Sequence, residues 1–497
     1  MFTNLLVTPD SMRTLEALTD AAGVSYREMM LRAGKALAMC IESQSAPQRS
    51  VCFLAGTGNN GGDCFVAAKH LWERGWETLV LTPLGSPRTD LAREMCELAV
   101  QAGVPVRTQD GDFQEDADIV VDGLFGTGFR GTLPEAAQTL LAPREGQVRI
   151  ACDIPSGGSG LTGTVSPGTF RAHCTVTFGL KKLGMSQYPL RAYCGSVLIA
   201  DIGTPPEVLT QIEGARLLRL EDVRTQLPVR PADAHKNTSG HVLSVCGSVR
   251  MRGACVLSAL SAMRAGAGLV TVASAEHALS ALAVKSPECM CMPLETDAQG
   301  FLLGEENFET LREVLPGKQA LLVGCGLGIT QGTRALLRML LQESTCPVVL
   351  DADALNLAAQ CRDMLPKGRC LLTPHPGEAA RLLGTDTAAV QQDRPGAAAA
   401  IARETGCVTV LKGAGTIVSD GTRMAVCELG NAGMARAGSG DVLAGICAAL
   451  TGQGMGLYEA ACTAVTLHAA AGDACVRRLP ERFMLPQDLI DSLREVL

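Results

Sequence analysis

Short apolar runs rich in β-branched residues recur along the chain, and Ala/Leu-rich stretches follow them. Examples of the strands that these runs predict are Val51–Leu54, Thr78–Leu81, Ile119–Val121, Val148–Cys152, Leu321–Val323, Val348–Leu350 and Val408–Leu411. Alternating strand and helix signals are typical of parallel sheets whose strands are joined by crossover helices. The pattern therefore predicts an α/β fold.

A polar, proline-bearing stretch from Gly203 to Ala234 interrupts this alternation. The chain has 497 residues, and at roughly 150 residues per domain it is long enough for two or three domains. We place one boundary within residues 205–228 and predict two α/β domains, one over residues 1–215 and one over residues 222–497. Each half is large enough to form its own core.

Composition excludes several classes of protein. Hydrophobic residues make up 47% of the chain and charged residues 19%, which excludes wholesale disorder. A net charge of −8 and an aromatic content of 3% argue against a nucleic-acid partner, since such proteins use basic surfaces and aromatic stacking. No apolar stretch reaches the roughly 20 residues of a membrane span, so we expect no membrane partner.

The 20 cysteines include no C-x-x-C pair. Most of them lie in apolar runs, so we interpret them as small buried side chains in a reducing compartment rather than as a metal cluster. No basic segment followed by an apolar one opens the chain, and we expect a cytoplasmic protein.

Two glycine-rich loops follow predicted strands in the first half. Gly56, Gly58 and Gly61 satisfy G-x-G-x-x-G, and a second match begins at Gly126 and ends at Gly131. Glycines at a strand-to-helix junction let the backbone approach a phosphate, while the helix N-terminus supplies N–H donors. The alternative is a tight turn that requires positive φ.

Polar side chains cluster at the ends of the same predicted strands. They are Asn59, Asn60, Asp63, Asp122, Asp153 and Ser156. Parallel sheets place ligands at the carboxyl ends of their strands, and oxygen donors suit a hard cation, either monovalent or divalent. Turn chemistry or helix capping is the alternative for each residue taken alone.

The motifs AGTGNNGGD, DGLFGTGFRG, DIPSG and TVTFGLKKLG resemble those of NAD(P)H-hydrate (NAD(P)HX) epimerases. This resemblance implies a Rossmann-like three-layer α/β/α domain that interconverts the R and S epimers of hydrated NADH or NADPH. The substrate-binding residues it implies are Asn59, Asn60, Gly61, Gly62, Asp63, Gly126, Thr127, Gly128, Phe129, Arg130, Gly131, Thr132 and Asp153.

The same resemblance implies a potassium ion on Asn60, Asp122 and Ser156. Epimerisation at a carbon that bears a hydroxyl group needs proton transfer, so an aspartate poised with a lysine is chemically suitable. We nominate Asp153 with Lys181 as the acid/base pair, with Lys182 as the rival lysine.

In the second half, GSGD at Gly438–Asp441 precedes an Ala/Leu-rich helix. Backbone N–H groups at such a helix start can hold a transferring phosphoryl group, and the carboxylate can accept the proton of an attacking hydroxyl. The chain has no G-x-x-x-x-G-K-[ST] motif, so it is not a P-loop enzyme. A glycine turn with an aspartate cap is the alternative interpretation of GSGD alone.

With TPHPGE and KGAGT upstream, GSGD resembles the ribokinase-like superfamily, and in particular its ADP- or ATP-dependent NAD(P)H-hydrate dehydratases. The resemblance implies a three-layer α/β/α domain, a magnesium ion with the nucleotide, and Asp441 as the base. The implied hydrate contacts are Ala254, Gly326, His375 and Asp441. The implied nucleotide contacts are Lys412, Gly413, Ala414, Gly415, Thr416 and Gly440.

Several interpretations stay open at this stage. His375 is one of seven histidines and has a purely structural alternative, and Asp351 with Asp353 fits a paired-carboxylate site or a strand-end cap network. Cys64 and Cys325 stand beside the predicted sites, where the families usually have Gly and Pro. We therefore expect thiol modification at these two positions to inhibit.

Together the resemblances imply a bifunctional repair enzyme that epimerises (6R)-NAD(P)HX to (6S)-NAD(P)HX and dehydrates the S form with ADP or ATP. The choices between ADP and ATP and between NADHX and NADPHX stay open, and we expect a homo-oligomer. One alternative is a ribokinase-like phosphotransferase acting on a small alcohol. Another is a non-catalytic first half that senses nucleotides or forms an oligomer interface.

Overall fold

The computed structural model describes residues 4–43, 50–108 and 117–496. The chain divides into two compact units, Met1–Arg216 and Leu217–Leu497, which we call the first and second units. No helix in the described ranges is both long and apolar enough to cross a bilayer. Of the 20 cysteines, 17 are buried, which confirms their interpretation as small interior side chains.

The first unit is built on a seven-stranded parallel sheet. The strands of this unit are β1 (Leu5–Val7), β2 (Ser50–Ala55), β3 (Glu77–Leu81), β4 (Val106–Arg107), β5 (Ile119–Gly123), β6 (Val148–Cys152), β7 (Cys174–Phe178), β8 (Lys181–Lys182), β9 (Ser196–Ala200) and β10 (Ala215–Leu217). Its helices are α1 (Pro9–Ala21), α2 (Tyr26–Ser43), α3 (Asn59–Trp72), α4 (Asp90–Gln101), α5 (Glu135–Leu140) and α6 (Pro206–Leu209).

The order of the sheet is β4-β3-β2-β5-β6-β7-β9. The chain runs outward from β2 in one direction and then from β5 in the other, which is the doubly wound Rossmann order. The crevice between the carboxyl ends of β2 and β5 is the switch point, where such sheets bind ligands.

Both faces of this sheet are covered. Side chains alternate along each strand, so Phe53 packs in the cluster that holds α1 to α4, while Leu54 packs with α5 and the buried Phe170. This gives the predicted three layers. Outside the main sheet, β1 pairs in parallel with β8, with Val7 opposite Lys182.

The second unit repeats the architecture on a larger scale. Its strands are β11 (His241–Val245), β12 (Leu269–Ser274), β13 (Met290–Pro293), β14 (Ala320–Val323), β15 (Val348–Leu350), β16 (Cys370–Leu372), β17 (Val408–Leu411), β18 (Thr416–Ser419) and β19 (Met424–Cys427). Its helices are α7 (Leu220–Arg224), α8 (Arg252–Arg264), α9 (Glu276–Lys285), α10 (Phe308–Val314), α11 (Gln331–Glu343), α12 (Asp353–Ala358), α13 (Pro376–Leu383), α14 (Thr387–Gln392), α15 (Arg394–Thr405), α16 (Ser439–Gly452), α17 (Leu457–Cys475) and α18 (Pro486–Val496).

Seven parallel strands follow the order β13-β12-β11-β14-β15-β16-β17, and β18 and β19 continue the sheet antiparallel. The switch point lies between β11 and β14. One face packs on α8, α9, α16 and α17 through residues such as Val272 and Leu322, and α15 packs on β17 and β18. The strands predicted from the apolar runs are all present, and β6, β15 and β17 match at both ends.

Candidate functional sites

The β2–α3 loop of the first unit lies at the switch point. A Cβ at Gly56 would fall 2.0 Å from the carbonyl oxygen of Leu124, and one at Gly61 would fall 2.0 Å from that of Gly56. Gly56 therefore allows close backbone packing between the ends of β2 and β5, and Gly61 allows the start of α3 to pack on the residue after β2. A Cβ at Gly58 would meet no atom within 4 Å, so Gly58 faces the space where a ligand can approach.

The loop after β5 lies against the same helix start. A Cβ at Gly126 would sit 3.4 Å from the side chain of Asn60, and the ring centroids of Phe125 and Phe129 lie 5.3 Å apart with the rings tilted by 55°. Gly131 has φ of 83°, so the tight-turn interpretation holds for that glycine. The structure thus brings the two predicted substrate-binding segments, 59–63 and 126–132, to one place.

Asp122 and Ser156 form a buried pair beneath these loops. The Ser156 hydroxyl donates to Asp122 Oδ1 at 2.6 Å, and the Ser156 backbone N–H donates to Oδ2 at 2.7 Å. Burial raises the pKa of Asp122 to about 6, although hydrogen bonds from Ser156 and Leu124 oppose this. The third predicted cation ligand, Asn60, has its buried Nδ2 without a hydrogen-bond partner among the described residues.

Asp153 is held in a strained backbone conformation directly after β6. Its φ is 64°, a value that L-residues rarely adopt, and its N–H donates to the Val176 carbonyl at 2.7 Å. Oδ1 of Asp153 accepts from the hydroxyl of Thr177, the backbone N–H of Phe178 and the ammonium of Lys182. Strain retained at a carboxylate that ends a strand marks a functional position.

Lys182 is the lysine that donates to Asp153. Its Nζ also donates to Thr177 Oγ1 at 2.9 Å and to the Phe178 carbonyl at 3.1 Å, so all three ammonium hydrogens have acceptors. Neighbouring residues of a strand point to opposite faces, so Lys181, nominated from the sequence, cannot point the same way. The geometry therefore pairs Asp153 with Lys182, the rival lysine, and not with Lys181.

Two further carboxyl groups face this ion pair. Burial raises the pKa of Asp63 well above its usual value, and the charges of Asp153 and Glu16 raise it further. Burial likewise raises the pKa of Glu16, with Asp153 adding to the shift and Lys182 opposing it. Sequence reasoning missed Glu16, since it lies on an ordinary amphipathic helix far from every motif.

The second site begins at the N-terminus of α16. Gly438 adopts φ of 98° and precedes the first turn, where N–H groups have no partner inside the helix. Asp441 lies in that turn, and burial raises its pKa to about 7, with Asp351 adding to the shift and Cys325 and Lys412 opposing it. GSGD therefore supplies both an anion-binding helix start and a carboxyl group that titrates near neutrality.

Lys412 connects this helix start to the strand ends. Its Nζ lies 2.6 Å from Asp351 Oδ1 and 3.9 Å from Glu378 Oε2, and 3.3 Å from the position a Cβ at Gly440 would take. Burial disfavours the ammonium, but the carboxylates of Asp351 and Glu378 outweigh it and raise the pKa of Lys412. The predicted nucleotide contacts Lys412 and Gly440 are therefore neighbours.

Asp351 is the centre of the buried network, so the paired-carboxylate interpretation holds in part. Its Oδ1 also accepts from Thr373 at 2.7 Å, and Cys325 Sγ lies 3.7 Å from Oδ2. Asp353 has a different partner, since its Oδ2 accepts from the N–H of Gly328 at 2.7 Å. Asp351 thus belongs to the site, whereas Asp353 caps the Gly-rich loop after β14.

His375 has the structural role that the sequence left open. It caps α13, and its Nδ1 accepts from the N–H of Gly377 at 3.0 Å and from that of Glu378 at 3.3 Å. Nε2 then carries the hydrogen of the neutral ring and lies 3.3 Å from Glu378 Oε1. About half of this side chain is exposed, so the cap does not prevent contact with a ligand.

The remaining predicted hydrate contacts lie beside these groups. A Cβ at Gly326, where φ is 61°, would fall 2.7 Å from the Cβ of Ala254. The adjacent Cys325 touches Asp351 and is fully buried, as is Cys64 in the first unit. The structure therefore disfavours the expectation that thiol modification at these two positions inhibits, since neither side chain is exposed to solvent.

The loop of residues 413–416 joins β17 to β18. Thr416 donates to the Gly413 carbonyl at 2.8 Å, and the buried Arg394 donates to the carbonyl of Lys412 at 3.2 Å. Burial lowers the pKa of Arg394 to about 10. Sequence reasoning missed Arg394 because its motif, DRPG, reads only as a helix start.

The geometry defines the class of protein before any comparison. Each unit is a doubly wound α/β domain with a lysine–aspartate ion pair at the carboxyl ends of its strands, which is the arrangement of an enzyme acting on small molecules. A family model described as NAD(P)H-hydrate dehydratase matches residues 242–495, and one described as YjeF-related protein N-terminus matches residues 26–184.

A bifunctional NAD(P)H-hydrate repair enzyme from Moorella thermoacetica is 41% identical over 488 residues, covering 94% of this chain and 91% of that protein. The chain belongs to the family of bifunctional NAD(P)H-hydrate repair enzymes.

Two solved structures match part of the chain. A hypothetical protein from Streptococcus mutans is 25% identical with a TM-score of 0.51, covering 56% of this chain and 99% of that one. An ADP/ATP-dependent NAD(P)H-hydrate dehydratase from Bacillus subtilis, co-crystallised with ATP and Mg²⁺, is 28% identical with a TM-score of 0.48. The match covers 56% of this chain and 96% of the Bacillus subtilis chain.

Proposed function

We propose that the first unit interconverts (6R)- and (6S)-NAD(P)HX and that the second unit dehydrates (6S)-NAD(P)HX at the expense of ADP or ATP. The observation that carries the proposal is the convergence of Lys412, Gly440 and Asp441 at the start of α16. In this arrangement an ammonium, helix N–H donors and a base lie close enough together to contact the same phosphoryl group.

In the second unit, Asp441 accepts the proton of the C6 hydroxyl as that oxygen attacks the terminal phosphoryl group of the nucleotide. The helix N–H groups and Lys412 stabilise the negative charge that spreads over the phosphoryl oxygens. Phosphate then leaves C6 with the C–O electron pair, the neighbouring ring carbon loses a proton, and the dihydronicotinamide ring is restored. Phosphorylation turns hydroxide, a poor leaving group, into a good one.

In the first unit, Asp153 and Lys182 move protons to and from the hydrated ring. The strained backbone of Asp153 and the saturated hydrogen bonds of Lys182 fix both groups, so little reorganisation is needed during the reaction. Asn59 to Asp63 and Gly126 to Thr132 would bind the rest of the hydrate. Glu16 and Asp63 hold further carboxyl groups beside the pair and tune its charge.

The oxygen donors of Asp122, Ser156 and Asn60 suit a potassium ion, since each can offer a hard oxygen ligand. Rotation of the Asn60 amide would turn Oδ1 to the place of its unpartnered Nδ2. The ion would supply positive charge beside the bound hydrate. Magnesium would accompany the nucleotide phosphates in the second unit, where Mg²⁺ is usually held through phosphates and few protein groups.

The predominantly buried cysteines support a reducing, cytoplasmic location. Homo-oligomerisation stays a prediction from the sequence.

The test is an assay of reduced-nicotinamide absorbance with mixed NADHX epimers, magnesium, potassium and either ADP or ATP. Full recovery of NADH supports both activities, whereas recovery that stops at the S fraction means that the epimerase is inactive. Release of free phosphate distinguishes dehydration from the alternative of a simple phosphotransferase. Absence of NADH formation with both nucleotides would contradict the proposal.

A further inference from the structure

The second site contains three metal-ligating groups that the dehydratase reaction does not require together. Cys325 Sγ and one carboxylate oxygen each from Asp351 and Asp441 all lie within 4.8 Å of one another. Cys325 and Asp351 are buried, and Asp441 is half-buried at the open side. A cation can therefore enter past Asp441.

The distance between the thiol and Asp351 fits two ligands of a tetrahedral metal. Zinc binds thiolate sulfur at about 2.3 Å and carboxylate oxygen at about 2.0–2.2 Å, which places the two ligand atoms about 3.6 Å apart in a tetrahedron. Cys325 Sγ lies 3.7 Å from Asp351 Oδ2. Lys412 and Thr373 occupy the other oxygen, Oδ1, so Oδ2 is available for an ion while the ammonium stays in place.

Charge and hydrogen bonding favour the same occupant. The thiol of Cys325 has one hydrogen but faces two carboxyl groups, so it can satisfy only one of them at a time. The two carboxylates carry two negative charges against the one ammonium of Lys412 that contacts Asp351. A divalent cation that displaces the thiol proton to solvent gives a neutral set of charges. The two carboxylates and the thiolate carry three negative charges, and the ammonium and the ion together carry three positive ones.

We propose that Cys325, Asp351 and Asp441 form an inhibitory site for a thiophilic divalent cation such as Zn²⁺. Mg²⁺ prefers oxygen ligands and water, so the sulfur selects zinc over the ion that accompanies the nucleotide. Binding engages the Asp441 carboxylate and blocks phosphoryl transfer, a consequence that rests on the proposed role of Asp441 as the base. Binding itself does not depend on that role.

The first experiment measures binding without substrate. The full chain, reduced and freed of metal, is titrated with Co²⁺, and we expect thiolate-to-cobalt charge-transfer absorption that Zn²⁺ removes. Both Cys325→Ala and Asp441→Asn should weaken cobalt binding at least about tenfold, as loss of a metal ligand or its support does. Cys289→Ser, a change of a buried thiol that contacts Ser286 and none of the three ligands, is the matched control and should retain it.

The second experiment measures NADH formation from (6S)-NADHX with excess Mg²⁺ and rising Zn²⁺. Zinc should inhibit the parent chain and Cys289→Ser alike, and Cys325→Ala should need at least about tenfold more zinc relative to its own uninhibited rate. Cobalt absorption that neither Cys325→Ala nor Asp441→Asn changes would overturn the site. Zinc binding without inhibition would overturn its inhibitory role, and inactivity of the parent chain would instead count against the proposed function.

Discussion

The two units share a strand order and an arrangement of charge, but they hold their lysines differently. In each, an aspartate directly follows the fifth strand of the doubly wound order, Asp153 after β6 and Asp351 after β15, and pairs with a lysine. Among the described residues, the two non-glycine residues with positive φ also lie at these points, Asp153 at 64° and Ala352 at 51°.

The difference lies in what each lysine faces. The Lys182 side chain is 1% exposed and its three ammonium hydrogens go to protein acceptors, so it faces Asp153 and the enclosed pocket around that carboxylate. Lys412 is 18% exposed and lies beside Gly440 at the start of α16. In the proposed mechanism, the same kind of ion pair would serve proton transfer where it is enclosed and phosphoryl transfer where it opens onto a helix N-terminus.

The largest expected effect is a separation of the two activities. Asp153→Asn should lower epimerase turnover about 10²–10⁴-fold and spare the dehydratase, because it removes only a proton-transferring group. Asp441→Asn should lower dehydratase turnover and spare the epimerase, and the nucleotide should still bind. Epimer equilibration followed by NMR and NADH formation from pure S hydrate measure the two activities, and loss of both activities in either variant would break the comparison.

The second prediction tests which lysine serves the first unit. Lys182→Met leaves a buried carboxylate without its cation and should cost about 3–5 kcal/mol of the free energy of unfolding, together with epimerase activity. Lys181→Met is the matched change and should have a much smaller effect on both. Urea unfolding and epimer equilibration measure the pair of variants, and a larger loss for Lys181→Met would return the assignment to Lys181.

The third prediction concerns pH. Burial raises the pKa of Asp441 to about 7, and a base must be ionised to act, so dehydratase kcat/KM should fall about tenfold per unit below pH 7. Lys412 lowers this pKa, so Lys412→Met should shift the inflection to higher pH, whatever its residual rate. A pH–rate profile of both chains gives the result; an unshifted inflection would mean that Asp441 is not the titrating base.

The smallest effect concerns backbone strain. The positive φ of Ala352 costs of order 1–3 kcal/mol, and glycine relieves this strain but loses more backbone entropy on folding. Ala352→Gly should therefore raise the free energy of unfolding by about 1 kcal/mol and preserve dehydratase activity. Asp153→Gly should also relieve strain but abolish epimerisation. Urea unfolding with both assays compares them, and destabilisation by Ala352→Gly would show that Ala352 stores no strain.

Much of this protein could be predicted from local patterns. Apolar runs located the strands of both sheets, and glycine loops located the switch-point turns, because strand ends and turns depend on neighbouring residues. Asp153, Asp441 and Lys412 stood in such loops and lie in the sites. Glu16 and Arg394 could not be found this way, since they reach the sites from helices that carry no distinguishing motif.

The sequence by itself determined two α/β units, the carboxyl ends of their strands as the places for chemistry, and the family to which the chain belongs. Only the tertiary structure decided that Lys182 rather than Lys181 meets Asp153, because the pairing of β8 with β1 and the alternation of side chains set its direction. It also decided that Cys325, Asp351 and Asp441 meet. Periodicity shows on which face of its own helix or strand a side chain lies, but packing between distant segments selects its partner.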